Sequence, residues 1–306
     1  MEELLGNWDI GRIRSIEPIS SFGGKASLVR TENGCDFILK EKPDLAKAER
    51  ESNLLLRLEA AGALVAVPVL TLDGTWCVME LGKVFCLYPR LPGETIREHY
   101  GGDALGRAEA FGKAIGLLHT CLRKSRRSAD YQEMHLLRQV REWVIPCIRA
   151  HETNVEAEAI ESLWKQVEQE LNPLYRKLPK QLIHRDAHPA NMLFEAGRLT
   201  GFIDFELVVK GPRLFDLCYC GTNLLVSAYP DEAKMQAWPG LFHALVKGYQ
   251  SVIPLTATEI KAMFGILEAI ELLFIAFSLE AGADSAAKCN ESIFHWLAAN
   301  RERIAL

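Results

Sequence analysis

One stretch, residues 182–206, constrains this chain more than any other. It reads Leu182-Ile183-His184-Arg185-Asp186-Ala187-His188-Pro189-Ala190-Asn191-Met192-Leu193-Phe194, turns at Ala196-Gly197-Arg198, and continues Phe202-Ile203-Asp204-Phe205-Glu206. Short apolar runs on both sides of a glycine turn predict a β-hairpin. A hairpin folds Asp204 back beside Asn191, so that Asp186, Asn191 and Asp204 are expected in one small volume. Mg²⁺ takes hard oxygen ligands and keeps several waters, so one carboxylate and one amide suffice beside nucleotide phosphates. A further carboxylate off the metal orients an attacking hydroxyl. The pattern thus predicts phosphoryl transfer, with Asn191 and Asp204 on the metal and Asp186 on the hydroxyl. Residues that merely cap turns account for any one of the three but not for all of them together.

The chain has 306 residues, enough for two lobes and a sizeable core. With 49% hydrophobic and 25% charged residues it has the balance of a globular protein. A net charge of −5 implies no broad basic surface, so neither nucleic acid nor an anionic membrane is an expected partner. The basic run Arg123-Lys124-Ser125-Arg126-Arg127 reads as a solvated turn. The 8 cysteines (35, 77, 86, 121, 147, 218, 220 and 289) show no C-x-x-C spacing, which disfavours structural zinc and a disulfide framework. That usage, and an N-terminus Met1-Glu2-Glu3-Leu4 unlike a signal peptide, predict a cytoplasmic protein, monomeric or homodimeric. The apolar run Phe264–Leu279 is interrupted by Glu268 and Glu271 and reads as a buried helix.

Upstream elements occur in a telling order. Ser20-Ser21-Phe22-Gly23-Gly24-Lys25-Ala26-Ser27 lies between β-prone segments. There Ser21, Gly23 and Gly24 would bring backbone N–H groups close to a triphosphate without side-chain bulk. The strand Cys35–Lys40 ends in a lysine suited to grip phosphate, and a helix over 44–61 follows. Glu51 shares a face with Leu55 and Leu58, so it is the acid expected to hold Lys40 extended. Two strands, 65–72 and 75–81, are predicted around the Asp73-Gly74 turn, and a third spans Val84–Tyr88. The breakers Pro89, Pro92 and Gly93 mark a hinge at about 87–94. Adenine is expected against the backbone near Leu87, Tyr88 and Arg90. Helices are predicted over 105–121, 131–149 and 155–177, and again after 217; His119 reads as a packed or capping histidine.

The sequence predicts an α+β, bilobal protein-kinase-like fold with the active site in the interlobe cleft. Residues 1–89 would form the nucleotide-binding lobe and 90–306 the helical lobe. The spacing H-R-D-x-x-x-x-N resembles the protein-kinase catalytic loop. Closer still, the chain resembles the aminoglycoside phosphotransferase / choline kinase superfamily, whose loop usually reads H-G-D-x-H-P-x-N. His188-Pro189 and Ile203-Asp204-Phe205-Glu206 carry the likeness, as does Gly211 through Asp216-Leu217; Arg185 in place of the usual Gly departs from it. The resemblance implies ATP (GTP in some such families) and Mg²⁺ as cofactors and a small-molecule hydroxyl acceptor. By the same resemblance, His188 would reach the transferred phosphoryl group and Asp216 would brace the catalytic loop. An aminoglycoside-type antibiotic, an amino alcohol, homoserine and a sugar all remain open as acceptors. Acidic residues such as Glu133, Glu142, Glu268 and Glu271 read as helix surface charges rather than acceptor ligands. Two competing readings are a catalytically silent pseudokinase-type nucleotide-binding module and a metalloprotein using His184 and His188. Intact Lys40, Asp186, Asn191 and Asp204 speak against the first, and Pro189 against the second.

Overall fold

The computed structural model describes residues 1–20, 25–125, 130–151 and 155–305. Ser21, Gly23 and Gly24, expected over the triphosphate, lie outside the described residues. The chain divides into two compact units: Met1–Glu94 with Leu193–Glu206, and Thr95–Met192 with Leu207–Leu306.

The first unit opens with α1 (Glu2–Leu5), β1 (Ile13–Ser20), β2 (Lys25–Thr31) and β3 (Asp36–Lys42). Helix α2 (Leu45–Ala60), β4 (Val78–Glu80) and β5 (Lys83–Pro89) follow. The strands make one antiparallel sheet in the order β1-β2-β3-β5-β4. One face packs Val29, Leu39 and Leu87 against Leu4, Leu5, Trp8 and Ile10 of the N-terminal segment. Because side chains alternate along a strand, Lys40 and Lys42 share the opposite face of β3. Their neighbours on β5 are Cys86, paired with Lys40, and Tyr88, paired with Ile38. Helix α2 starts where the Asp44 carboxylate accepts the Lys47 N–H at 2.7 Å, a side-chain cap.

The expected strand at 65–72 is not formed. Val65 makes an isolated bridge to Phe202, the Val69 N–H donates to the Leu87 carbonyl, and the Leu72 N–H to the Asn7 carbonyl. The segment thus bonds to several separate parts of the chain, and no one strand offers it a ladder. The Asp73-Gly74 turn is present, with Gly74 at φ +76°.

The chain leaves the first unit in β6 (Glu94–Thr95). Helix α3 (Ala104–Lys124) follows, then α4 (Leu136–Gln139), a π-helical turn Val140–Val144, α5 (Ile145–Ala150) and α6 (Ala157–Tyr175). The single helix expected over 131–149 is therefore interrupted by a widened turn. Next come β7 (Lys180–Ile183), β8 (Met192–Glu195), β9 (Arg198–Phe202) and β10 (Val209–Pro212). Helices α7 (Leu214–Val226), α8 (Glu232–Gln250), α9 (Ala257–Glu280), α10 (Asp284–Ala299) and α11 (Arg301–Ile304) complete the second unit.

The predicted hairpin exists as β8 and β9, but it belongs with the first unit rather than with 90–306. The Phe202 N–H donates to the Leu64 carbonyl at 2.8 Å, and the Thr200 hydroxyl to the Pro92 carbonyl at 2.6 Å. On either side of it, β7 and β10 pair with each other, Ile183 opposite Val209, in the second unit.

Within the second unit α3 and α8 meet backbone to backbone. A Cβ on Gly112 would lie 1.8 Å from the Leu245 carbonyl oxygen, and one on Gly248 1.9 Å from that of Glu109. Only glycine allows that approach. Helix α9 fits its apolar sequence: it is mostly buried, Glu268 and Glu271 included. Those two glutamates are thus not the surface charges expected of them.

Candidate active site

The second unit carries the catalytic loop between β7 and β8. Asp216, near the start of α7, is fully buried and meets three groups. The N–H groups of His184 and Arg185 donate to it at 2.7 and 2.8 Å, and His119 Nε2 lies 2.9 Å from Oδ2. His119 Nδ1 in turn meets the Tyr249 hydroxyl at 2.9 Å. A buried carboxylate so fully satisfied fixes what it holds, and here it holds the backbone leading into Asp186. His119, expected to be a packed histidine, supports this brace. Arg185 has φ +69°, a conformation that glycine adopts freely. That explains why a glycine is the usual residue at this place in the motif.

Asp186 is itself tightly held. Asn191 Nδ2 donates to its Oδ2 and to its carbonyl, each at 2.8 Å. The Tyr219 hydroxyl donates to Oδ1 at 2.7 Å, and His188 Nε2 lies 3.5 Å from the same oxygen. Burial opposes ionisation, but hydrogen bonds from His188 and Tyr219 outweigh it and bring Asp186 down to about 2. With the Asn191 amide nitrogen committed to Asp186, its carbonyl oxygen is the end left to meet a metal. Tyr219 was not singled out in the sequence. It stands one helical turn after Asp216 and stacks on Phe215 and against Phe274, at ring separations of 5.8 and 5.6 Å. Its only sequence signal is that i, i+3 spacing within an apolar helix.

The first unit carries Lys40, Glu51 and Asp204. Asp204 adopts φ +69°, and its Oδ1 lies 3.2 Å from Lys40 Nζ. The carboxylate is 41% exposed, a hard oxygen donor open to solvent. Glu51 points inward as expected, but its partner is Lys42 at 2.8 Å rather than Lys40. The reason is that β3 runs on to Lys42, which reaches α2 from the same face. Lys42 Nζ also binds Glu206 at 2.8 Å and lies 5.2 Å from the centre of the Tyr88 ring. Burial alone would lower the Lys42 pKa, yet Glu51 and Glu206 raise it above the usual lysine value, so the ammonium stays charged.

The residues expected at adenine are engaged within the sheet. Leu87 is buried in the core, and its carbonyl takes the Val69 N–H at 2.7 Å. Tyr88 covers Lys42. Arg90 donates its N–H to the Asp36 carbonyl at 2.9 Å and its guanidinium to the Asp36 carboxylate at 3.1 Å. His184, one of the two residues of the metalloprotein reading, has its Nδ1 accepting the Asp186 N–H at 3.3 Å.

A five-stranded sheet bearing a lysine–carboxylate pair, followed by a helical unit with a braced H-R-D-x-x-x-x-N loop, defines a kinase-like phosphotransferase. The chain matches the phosphotransferase enzyme family over residues 15–255 and belongs to it. It is 27% identical to homoserine kinase of Neisseria meningitidis serogroup B, over 86% of this chain and 82% of that one. A second homoserine kinase, from Gluconobacter oxydans, is 26% identical over 90% of this chain and 85% of its own. Among solved structures, a microcompartment-associated aminopropanol kinase superposes with TM-score 0.73 at 16% identity, covering 100% of this chain and 98% of its own. Amicoumacin kinase, solved with AMP-PNP, Ca²⁺ and Ami, gives TM-score 0.69 at 16% identity, covering 97% of this chain and 99% of its own. These likenesses establish the α+β kinase-like fold.

Proposed function

We propose that this protein moves the γ-phosphoryl group of ATP to a hydroxyl of a small amino-bearing molecule, an amino alcohol such as homoserine being the first candidate. The observation that carries the reading is the hold on the Asp186 carboxylate, which is aimed by Asn191, Tyr219 and His188. Such a group orients an alcohol more than it deprotonates it. In a loose phosphoryl-transfer transition state that is what is required. The hydroxyl oxygen bonds to the γ-phosphorus as the bond to the bridging oxygen breaks. ADP departs, and the hydroxyl proton passes late to Asp186 and then to solvent.

Asn191 and Asp204 supply the carbonyl and carboxylate oxygens that suit Mg²⁺, which when bound neutralises charge on the phosphates. Lys40 grips phosphate, and His188 steadies the transferred group. The names of the homoserine kinase relatives support the choice of acceptor. The test is a phosphorylation screen with ATP and Mg²⁺ over homoserine, aminopropanol, choline, aminoglycosides and sugars, followed by ³¹P NMR of the product. Transfer to an amino alcohol, lost by about 10²–10³-fold in Asp186→Ala with nucleotide affinity kept, is expected. Wild-type turnover by Asp186→Ala refutes the role given to that residue. A nucleotide-binding protein that phosphorylates no acceptor points instead to the pseudokinase reading.

A further inference from the structure

β3 presents two lysines on one face, and the structure separates their surroundings. Lys40 is partly exposed, its side chain 25% accessible, and its one ion-pair partner among the described residues is Asp204 at 3.2 Å. Lys42 is sealed, its side chain 1% accessible. Its ammonium spans Glu51 of α2 and Glu206, each at 2.8 Å, beneath the Tyr88 ring. Glu206 stands two residues after Asp204, across the backbone turn at which Asp204 has φ +69°. A non-glycine residue persists in that conformation only where its surroundings hold it. Lys42 thus joins α2, β3 and the Asp204 turn through one buried cation, and it has no slack to reach a phosphate.

We infer that Lys42 is a positioning residue, a clamp that sets the Asp204 turn and takes Glu51 from Lys40, leaving Lys40 for nucleotide phosphate. The inference rests on the functional reading above and deepens it. In a site with one lysine, the same ammonium must both meet the helix carboxylate and touch phosphate. Here the two tasks fall on residues two apart. Lys40 should then govern nucleotide affinity, and Lys42 the geometry of the metal carboxylate. Outer partners that orient a metal ligand are typically worth about 10–100-fold in metal affinity or activity.

The experiment compares Lys40→Ala, Lys42→Met, Lys42→Arg and the double variant Lys42→Met/Glu51→Leu with wild type. The double variant removes both members of the buried pair, so it folds even if Lys42→Met, with an unpaired buried carboxylate, does not. Two readouts are taken. One is hydrogen exchange of the peptide spanning 198–207 without nucleotide or metal. The other is kcat, KM for ATP and the Mg²⁺ concentration for half-maximal rate. Lys40→Ala is expected to raise KM for ATP with unchanged exchange. Lys42→Met, or the double variant, is expected to speed exchange at 203–207, raise the Mg²⁺ requirement about tenfold and lower kcat about 10–100-fold. Lys42→Arg, which still spans two carboxylates, should restore most of both. A folded Lys42→Met or double variant with wild-type exchange and Mg²⁺ dependence overturns the inference, as does loss of ATP affinity alone. Wild-type protein that neither binds MgATP nor transfers phosphate overturns the functional reading instead.

Discussion

Glu268 offers a quantitative test of how α9 is built. Its side chain is 1% exposed, and Oε2 has no hydrogen-bond partner among the described residues. Burial raises its pKa from 4.5 to about 8, Arg301 pulling the other way and Glu170 adding to the rise. In the unfolded chain the carboxyl ionises near 4.5 while in the folded protein it stays protonated. Unfolding therefore releases a proton between those two values, and stability falls as pH rises through that window. Each pKa unit is worth about 1.36 kcal/mol, so the cost reaches roughly 3 kcal/mol at pH 7 and approaches 5 kcal/mol above pH 8. Glu268→Gln keeps the shape and removes the proton equilibrium. The variant should match wild type at pH 4.5–5 and exceed it by a few kcal/mol at pH 8, which is several degrees in midpoint for a chain of this size. Thermal and urea unfolding at both pH values measure this, followed by probes in α9. An equal stability difference at the two pH values would refute the picture of a neutral buried acid. Glu271, fully buried one turn further on, is raised by burial alone, so Glu271→Gln should behave alike.

Further outcomes follow from other contacts. Tyr219→Phe removes a donor that helps keep Asp186 ionised; the acid limb of the pH–rate profile should move up by about one unit, with kcat down about tenfold. An unshifted limb sinks that role. Gly248→Ala drives a methyl into the Glu109 carbonyl and should cost at least about 2–3 kcal/mol in chemical unfolding. Arg185→Gly relieves a left-handed backbone at φ +69° and should raise stability by up to about 1 kcal/mol, with transfer retained. A loss of stability would show that packing of the Arg185 side chain outweighs the strain.

The site was legible in the sequence wherever residue type and spacing fixed the chemistry. A catalytic-loop pattern and a hairpin were enough to nominate Asp186, Asn191 and Asp204, and a helical face shared with Leu55 and Leu58 showed that Glu51 points inward but not that it pairs with Lys42. Lys42 lies beyond the apolar strand pattern that stops at Lys40; alternation along the longer strand puts it on the same face, where it meets Glu51 of α2. Tyr219 was hidden because its hydroxyl meets Asp186 across 33 residues, a distance that no local pattern reports. The expected strand at 65–72 failed for the opposite reason. Its residues suit a strand, but Val65 bridges Phe202, the Val69 N–H goes to Leu87, the Leu72 N–H to Asn7, and only Thr71 bonds across the turn, to Thr75. The π-helical turn at Val140–Val144 leaves no mark in an apolar periodicity read at 3.6 residues.

The glycine contact between α3 and α8 reaches further than its own stability. His119 lies two turns along α3 from Gly112, and Tyr249 directly follows Gly248 on α8. The Tyr249–His119–Asp216 chain therefore inherits its alignment from two bare backbones that touch. In a saturation library scored for phosphotransfer, positions 112 and 248 should read as intolerant as Asp186 itself, although neither touches a reacting atom. A one-residue deletion in the segment joining α7 to α8 should be accepted far more readily than one inside either helix. Accommodating a new acceptor in this protein would then be a matter of changing what faces the catalytic loop, while the helix pair behind it serves as a fixed ruler.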